Sequence, residues 1–245
     1  MAAENYTIPI GGNWTLEDLY VFPRTYEQVY FLVYSLAPDH SDREAERIAR
    51  AYESLPWQGG YSAVSFYNQL KYITPKRERP AVVSIEYSSP GWIELALILS
   101  AALNVQQIVK SIAKSFGYAN DVYNDIIKDM QRRKILRLEV QAKELELKQR
   151  ELEFIDGALK RMSGLLGVSS PAALNVLTGH PYRSLKILLS LYRRVRTLVK
   201  YQNDGKADFT RELSGQRQIP NSRSAHKSKR KALRKIAAPK KAKKR

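Results

Sequence analysis

Twelve Lys and Arg side chains in 25 positions, without one acid, are the residues of this 245-residue sequence best suited to chemistry. They are Arg223, Lys227, Lys229, Arg230, Lys231, Arg234, Lys235, Lys240, Lys241, Lys243, Lys244 and Arg245. The chemistry is polyanion binding. A cation that neutralises a phosphate releases condensed counterions, so affinity is high at low salt and indifferent to base sequence. The segment holds no aromatic residue, so it offers nothing for unpaired bases to stack on. The same composition suits a solvated end, an anionic lipid surface, an acidic protein or a nuclear import signal. Nucleic acid or another polyanion is the expected partner, with a membrane surface as the alternative.

A second cationic group lies upstream. Residues 181–200 contain no acid. Arg183, Lys186, Arg193, Arg194, Arg196 and Lys200 are interleaved with Tyr182, Leu185, Leu188, Leu189, Tyr192, Val195 and Val199, which recur at helical spacing. A basic amphipathic helix is expected there. Arg193, Arg194, Arg196 and Lys200 extend the candidate nucleic-acid surface.

Other candidate chemistry is thin. Gly60-Tyr61-Ser62-Ala63-Val64 is half a nucleophile elbow without its second glycine, and Ser62 reads as a helix cap. The Gly59-Gly60 loop has no P-loop lysine beside it. His40, His180 and His226 are far apart in sequence, which argues against a zinc site. Asp39, Asp42, Glu44 and Glu46 cluster where a helix begins, a position that favours acids for dipole reasons. Glu94 is a lone acid in an apolar run, read as paired, dipole-placed or surface-facing. No cysteine is present, which excludes disulfides, thiolate metal ligands and cysteine nucleophiles. No catalytic residue, metal or cofactor is implied.

The net charge is +17, from 41 Lys+Arg against 24 Asp+Glu; residues 1–220 hold 29 and 24 of these, so the body is only mildly basic. The hydrophobic fraction of 44% is that of a folding chain.

The elements that must position these residues follow from periodicity. Tyr6, Ile8 and Ile10 alternate, and Gly11-Gly12 followed by Trp14, Leu16 and Leu19 predicts a hairpin over 5–21. Tyr26, Tyr30, Val33 and Tyr34 predict a helix after Pro23. Ser41 and Glu44 form a capping-box pattern for a second helix. Ser62 caps a third, with Val64, Phe66, Tyr67 and Leu70 inward. Ala81–Tyr87 reads as a strand. Ser89-Pro90 predicts the start of an apolar helix through Trp92–Leu103 and on to Phe116, stopped by Gly117. From about Asp121 to Arg161 helix formers dominate, and Leu138, Leu145, Leu152 and Leu159 recur every seven residues. One long helix is expected there, in a helical hairpin or a self-associating coiled coil. Ser169-Ser170-Pro171 opens a short helix, and Pro181 opens the basic one.

The expected fold is mainly α. A small N-terminal α+β unit fills 1–88, a helical region with the long helix fills 89–200, and a disordered linker and basic tail fill 201–245. The N-terminus has no signal-peptide pattern, so an intracellular, soluble protein is expected, nuclear if the source is eukaryotic. The function expected is a non-enzymatic helical binding or structural protein whose tail holds nucleic acid without sequence specificity. The alternative is a membrane-associated effector or adaptor using the apolar helix 92–103 and the tail.

Overall fold

A computed structural model describes residues 3–54, 60–88, 91–135, 149–168 and 170–210, with the backbone alone for 54 and 60–62. Within these residues the chain is mainly helical, with one small antiparallel sheet. In chain order the elements are β1 (Glu4–Ile10), α1 (Leu16–Ser35), α2 (Asp42–Ser54), α3 (Gly60–Ile73), β2 (Ala81–Glu86), β3 (Gly91–Leu97), α4 (Leu99–Lys114), α5 (Phe116–Arg132), α6 (Gln149–Leu166), α7 (Pro171–Thr178) and α8 (Pro181–Asn203).

The apolar run after Pro90 corrects the sequence expectation most. It is not a helix. Gly91–Leu97 is the central strand of the sheet, ordered β1-β3-β2, and a helix begins only at Leu99. The run therefore spans a buried strand and a buried helix start, which share the same apolar residue types. The register places Tyr6 opposite Leu95 and Ile8 opposite Ile93. Tyr6, Ile8, Ile93, Leu95 and Leu97 are all buried. Glu94 points to the other face. It is 4% exposed and accepts hydrogen bonds from Asn5 Nδ2 and Ser84 Oγ, both at 2.9 Å, one from each flanking strand. Its neighbours on β1 and β2 thus satisfy it.

The expected hairpin over 5–21 is also corrected. Only its first strand forms. Thr15 caps α1 and Asp18 returns the bond to the Thr15 N–H, a capping box that turns Leu16 and Leu19 into helix. Pro23 lies exposed inside α1 and does not begin it. Phe22, Tyr26, Val29, Tyr30 and Val33 bury the opposite face. Ser62 falls in the first turn of α3, which starts at Gly60, so it is not the cap. Gly117 does not stop a helix either, because α5 starts at Phe116 and passes through it.

The expected continuous helix over 121–161 is broken. At Lys134 the backbone turns left-handed, with φ at 59°. The Ile135 N–H bonds back to Met130 O, and the Lys134 N–H to Gln131 O. That pair of bonds defines a Schellman stop. Leu138 and Leu145 lie outside the described residues. When α6 begins at Gln149, its row Ile155, Leu159, Met162 and Leu166 is buried, and α6 packs on α8, α5 and α4 of the same chain. Leu159 of the heptad row is thus spent on intramolecular packing.

α8 is the centre of the fold, packed by α1, α4, α6 and α7. It begins as expected at Pro181, capped by His180, whose side chain accepts from the Tyr182 N–H. Its burial exceeds an amphipathic stripe. From Tyr182 to Tyr192 every residue but Lys186 is buried. α7 also begins as expected, with the Ser170 hydroxyl accepting from Ala173 N–H.

The division at residue 88 and the linker from 201 do not describe this fold. β3 pairs with β1 and β2 across the expected boundary, and Met1–Thr210 is one compact unit. Residues 204–210 return to the sheet edge. Ala207 bridges Ile10, and Ala207 and Phe209 are 2% and 0% exposed. Residues 211–245 lie outside the described residues.

Candidate functional site

The cations expected to touch nucleic acid divide in two. Lys227, Lys229, Arg230, Lys231, Arg234, Lys235, Lys240, Lys241, Lys243, Lys244 and Arg245 lie outside the described residues. Arg193, Arg194, Arg196 and Lys200 lie on the last turns of α8, where the helix has cleared the densest part of the core.

Their surroundings differ. Arg193 and Lys200 are exposed. Arg196 is partly covered and lies 5.6 Å over the Tyr123 ring. Positions 193, 196 and 200 fall within one side of a helix, because three and seven residues bring the chain back to nearly the same azimuth. Arg194 points elsewhere. Its guanidinium stands 3.9 Å over the Tyr67 ring of α3 and donates to Gln28 Oε1 of α1 at 2.6 Å. Two further bonds run to Ser190. Burial lowers its pKa from the ordinary value. Arg194 is a clamp between three helices. Arg183 is more deeply held, 3% exposed and donating to Thr178 O at 2.6 Å. Lys186 lies 4.6 Å over the Tyr182 ring. The cationic side of α8 is therefore Arg193, Arg196 and Lys200.

A second polar cluster sits between α1, α2 and the turn before β2. The Tyr34 hydroxyl is 2.8 Å from Glu44 Oε1 and 2.5 Å from Glu78 Oε2. Burial alone would raise the Glu78 carboxyl, but hydrogen bonds from Tyr34 and Arg77 hold it below the ordinary value. Burial, then the two carboxylates, push the Tyr34 phenol far up. His40 Nε2 bonds Tyr34 O at 2.9 Å, which leaves Nδ1 3.6 Å from Glu44. Tyr30 donates to Glu78 O and accepts from Ile98 N–H. Composition apart, this is a structural knot. Its hydroxyls serve internal partners and tie three segments to the start of α4. Among the described residues no group of three or more His, Cys, Asp or Glu is placed to hold a metal ion.

The sequence reading missed a cavity of about 300 Å³ where α4, α5 and α6 meet. Ser111 and Ser115 come from α4 and its end, Tyr118 from α5, and Lys160, Arg161 and Gly164 from α6. Val122 and Leu165 supply its apolar wall. Lys160 and Arg161 had been indistinguishable from the solvated face of a long helix. The packing of α6 on α5 and α4 brings them beside Tyr118.

No protein-family model, curated protein sequence or solved structure matches this chain.

Proposed function

We propose that this is a non-enzymatic helical binding protein whose basic C-terminal segment holds nucleic acid without sequence specificity. The charge distribution carries the reading. Of the 41 basic and 24 acidic residues, 14 and 1 fall in 211–245, leaving 27 and 23 in 1–210. Residues 1–210 are close to balanced, and the excess positive charge is concentrated in 211–245. Arg193, Arg196 and Lys200 add a short cationic row on the folded unit itself. The membrane-surface alternative loses its apolar element, because 92–103 is a central strand followed by the start of α4. Among the described residues no helix is long and apolar enough to cross a membrane.

The test compares the full chain with a chain ending at residue 220. Two unrelated duplexes are titrated between about 50 and 200 mM salt, where each phosphate contact adds about 0.9 to the log–log slope. Anionic vesicles serve as the charge-only control. Both duplexes should bind the full chain equally, and the shortened chain should lose most of that affinity and slope. Equal binding by the two chains at both salts would remove the segment from the interface and leave the α8 row.

A further inference from the structure

We infer that the cavity between α4, α5 and α6 is a site for one unpaired nucleotide, with its base on Tyr118 and its phosphate on Lys160 and Arg161. This deepens the nucleic-acid reading and rests on it. Four features of the cavity point this way. Its volume, about 300 Å³, is at the small end of sites that take organic ligands. Its polar lining residues are Ser111, Ser115, Tyr118, Lys160 and Arg161, and no Asp or Glu is among them. Among the described residues no ion pair engages Lys160 or Arg161. Tyr118 is 65% exposed, a large ring left in water beside those cations.

An aromatic face next to cations is the combination that holds single strands, since every base has a face to stack. The basic segment 221–245 has no Phe, Tyr or Trp. It can hold phosphates of duplex or single strand alike. The cavity supplies what that segment lacks, a surface for a base that has left its stack. Gly164 is exposed, and a Cβ built there meets nothing within 4 Å, so a larger side chain fits at this lining position. Packing does not require the glycine, and the space beside it is open.

The experiment uses the full chain and three variants, Tyr118→Ala, Gly164→Leu and Arg161→Ala. The probes are a labelled oligothymidylate, a duplex of mixed sequence and free adenosine monophosphate. Tyr118→Ala should weaken oligothymidylate binding about tenfold, within the range found for removing one stacking ring. Gly164→Leu should do the same by filling the cavity, with no fall in melting temperature. Duplex affinity should hold in both. Arg161→Ala should lower the log–log salt slope for the single strand by about 0.7, the value for one phosphate. Displacement of the oligothymidylate by adenosine monophosphate would assign the site to free nucleotides, and failure to displace would assign it to a strand. Unchanged oligothymidylate affinity in Tyr118→Ala and Gly164→Leu overturns the site. An equal loss for duplex also overturns it, because that reports general charge or folding. An unchanged slope in Arg161→Ala overturns the phosphate contact. Failure of the tail reading looks different, since deleting the basic segment would then leave both nucleic acids bound.

Discussion

Arg193 and Arg194 are neighbours in sequence and opposites in environment. Arg193 is exposed, whereas Arg194 lies between Tyr67, Gln28 and Ser190. One residue along a helix turns a side chain by about 100°, which is enough to pass from water to a helix seam. Removing Arg194 strips a cation–π contact and leaves hydrogen-bonding groups on α1 and α8 without their donor. Arg194→Ala should therefore lower unfolding stability by roughly 2–3 kcal/mol, read by urea denaturation. Arg193→Ala, on the exposed side, should change it by less than about 0.5 kcal/mol. The opposite ranking would contradict the packing described. The sequence shows both arginines equally well. What it does not show is that Gln28, 166 residues away, turns one of them inward. Glu94 has the same lesson. Its partners Asn5 and Ser84 become neighbours only once the three strands are paired.

At the scale of elements, the stops of α5, α6 and α8 use one device with two chemistries. α6 ends with Gly167 and α8 with Gly205, each at positive φ, with paired bonds back into the last turn. α5 ends in the same bond pattern with Lys134 in the left-handed position. A lysine there pays a steric cost that glycine avoids. Lys134→Gly should raise stability by about 0.5–1 kcal/mol, after allowing for the freer unfolded chain. A continuous helix would respond with the other sign, losing about 1 kcal/mol for an interior glycine. Equilibrium denaturation of this one variant thus decides between the two. Here the sequence was legible in type and not in boundary. Helix formers run through 121–161 with neither Pro nor Gly near 134, so no local signal announces the stop. The stop is fixed by tertiary burial of Met130 and Ile135. The strand Gly91–Leu97 was hidden differently. Its alternation is blurred because Trp92, Glu94 and Ala96 on its other face are themselves at least half covered. The helices opened by Pro171 and Pro181 were plain, since both carry their cap and proline in the chain itself.

At the scale of the whole folded unit, the residues after α8 close the structure against its beginning. Phe209 is fully buried against Phe22 and Tyr26 of α1. The Gly11 N–H donates to Lys206 O, and the Asp208 N–H to Pro9 O, along the edge of β1. Trp14 Nε1 also reaches Lys206 O, at 3.2 Å. Lys206 Nζ stands 2.7 Å from the Asp18 carboxylate at the N-terminus of α1. These bonds cover the outer edge of β1 that would otherwise be unpaired. A chain ending at residue 210 should therefore melt with the full chain, whereas one ending at 203 should be weaker by at least about 3 kcal/mol, the usual cost of deleting one buried phenyl ring. Phe209→Ala in the full chain separates the ring from the backbone bonds. It should account for most of that loss. Acid adds an independent reading. The Lys206 ammonium, with the Thr15 N–H, holds the Asp18 carboxyl far below its ordinary value of 3.8. A carboxyl depressed in the fold contributes stability above that ordinary value and loses it as pH falls toward the folded one. The chain ending at 210 should lose stability as pH drops below about 4, and the chain ending at 203, without Lys206, should lose less over the same range. Thermal melts of the two chains at neutral pH and in acid measure both effects. Equal melting temperatures at neutral pH would mean that 204–210 merely rests on the unit and does not close it.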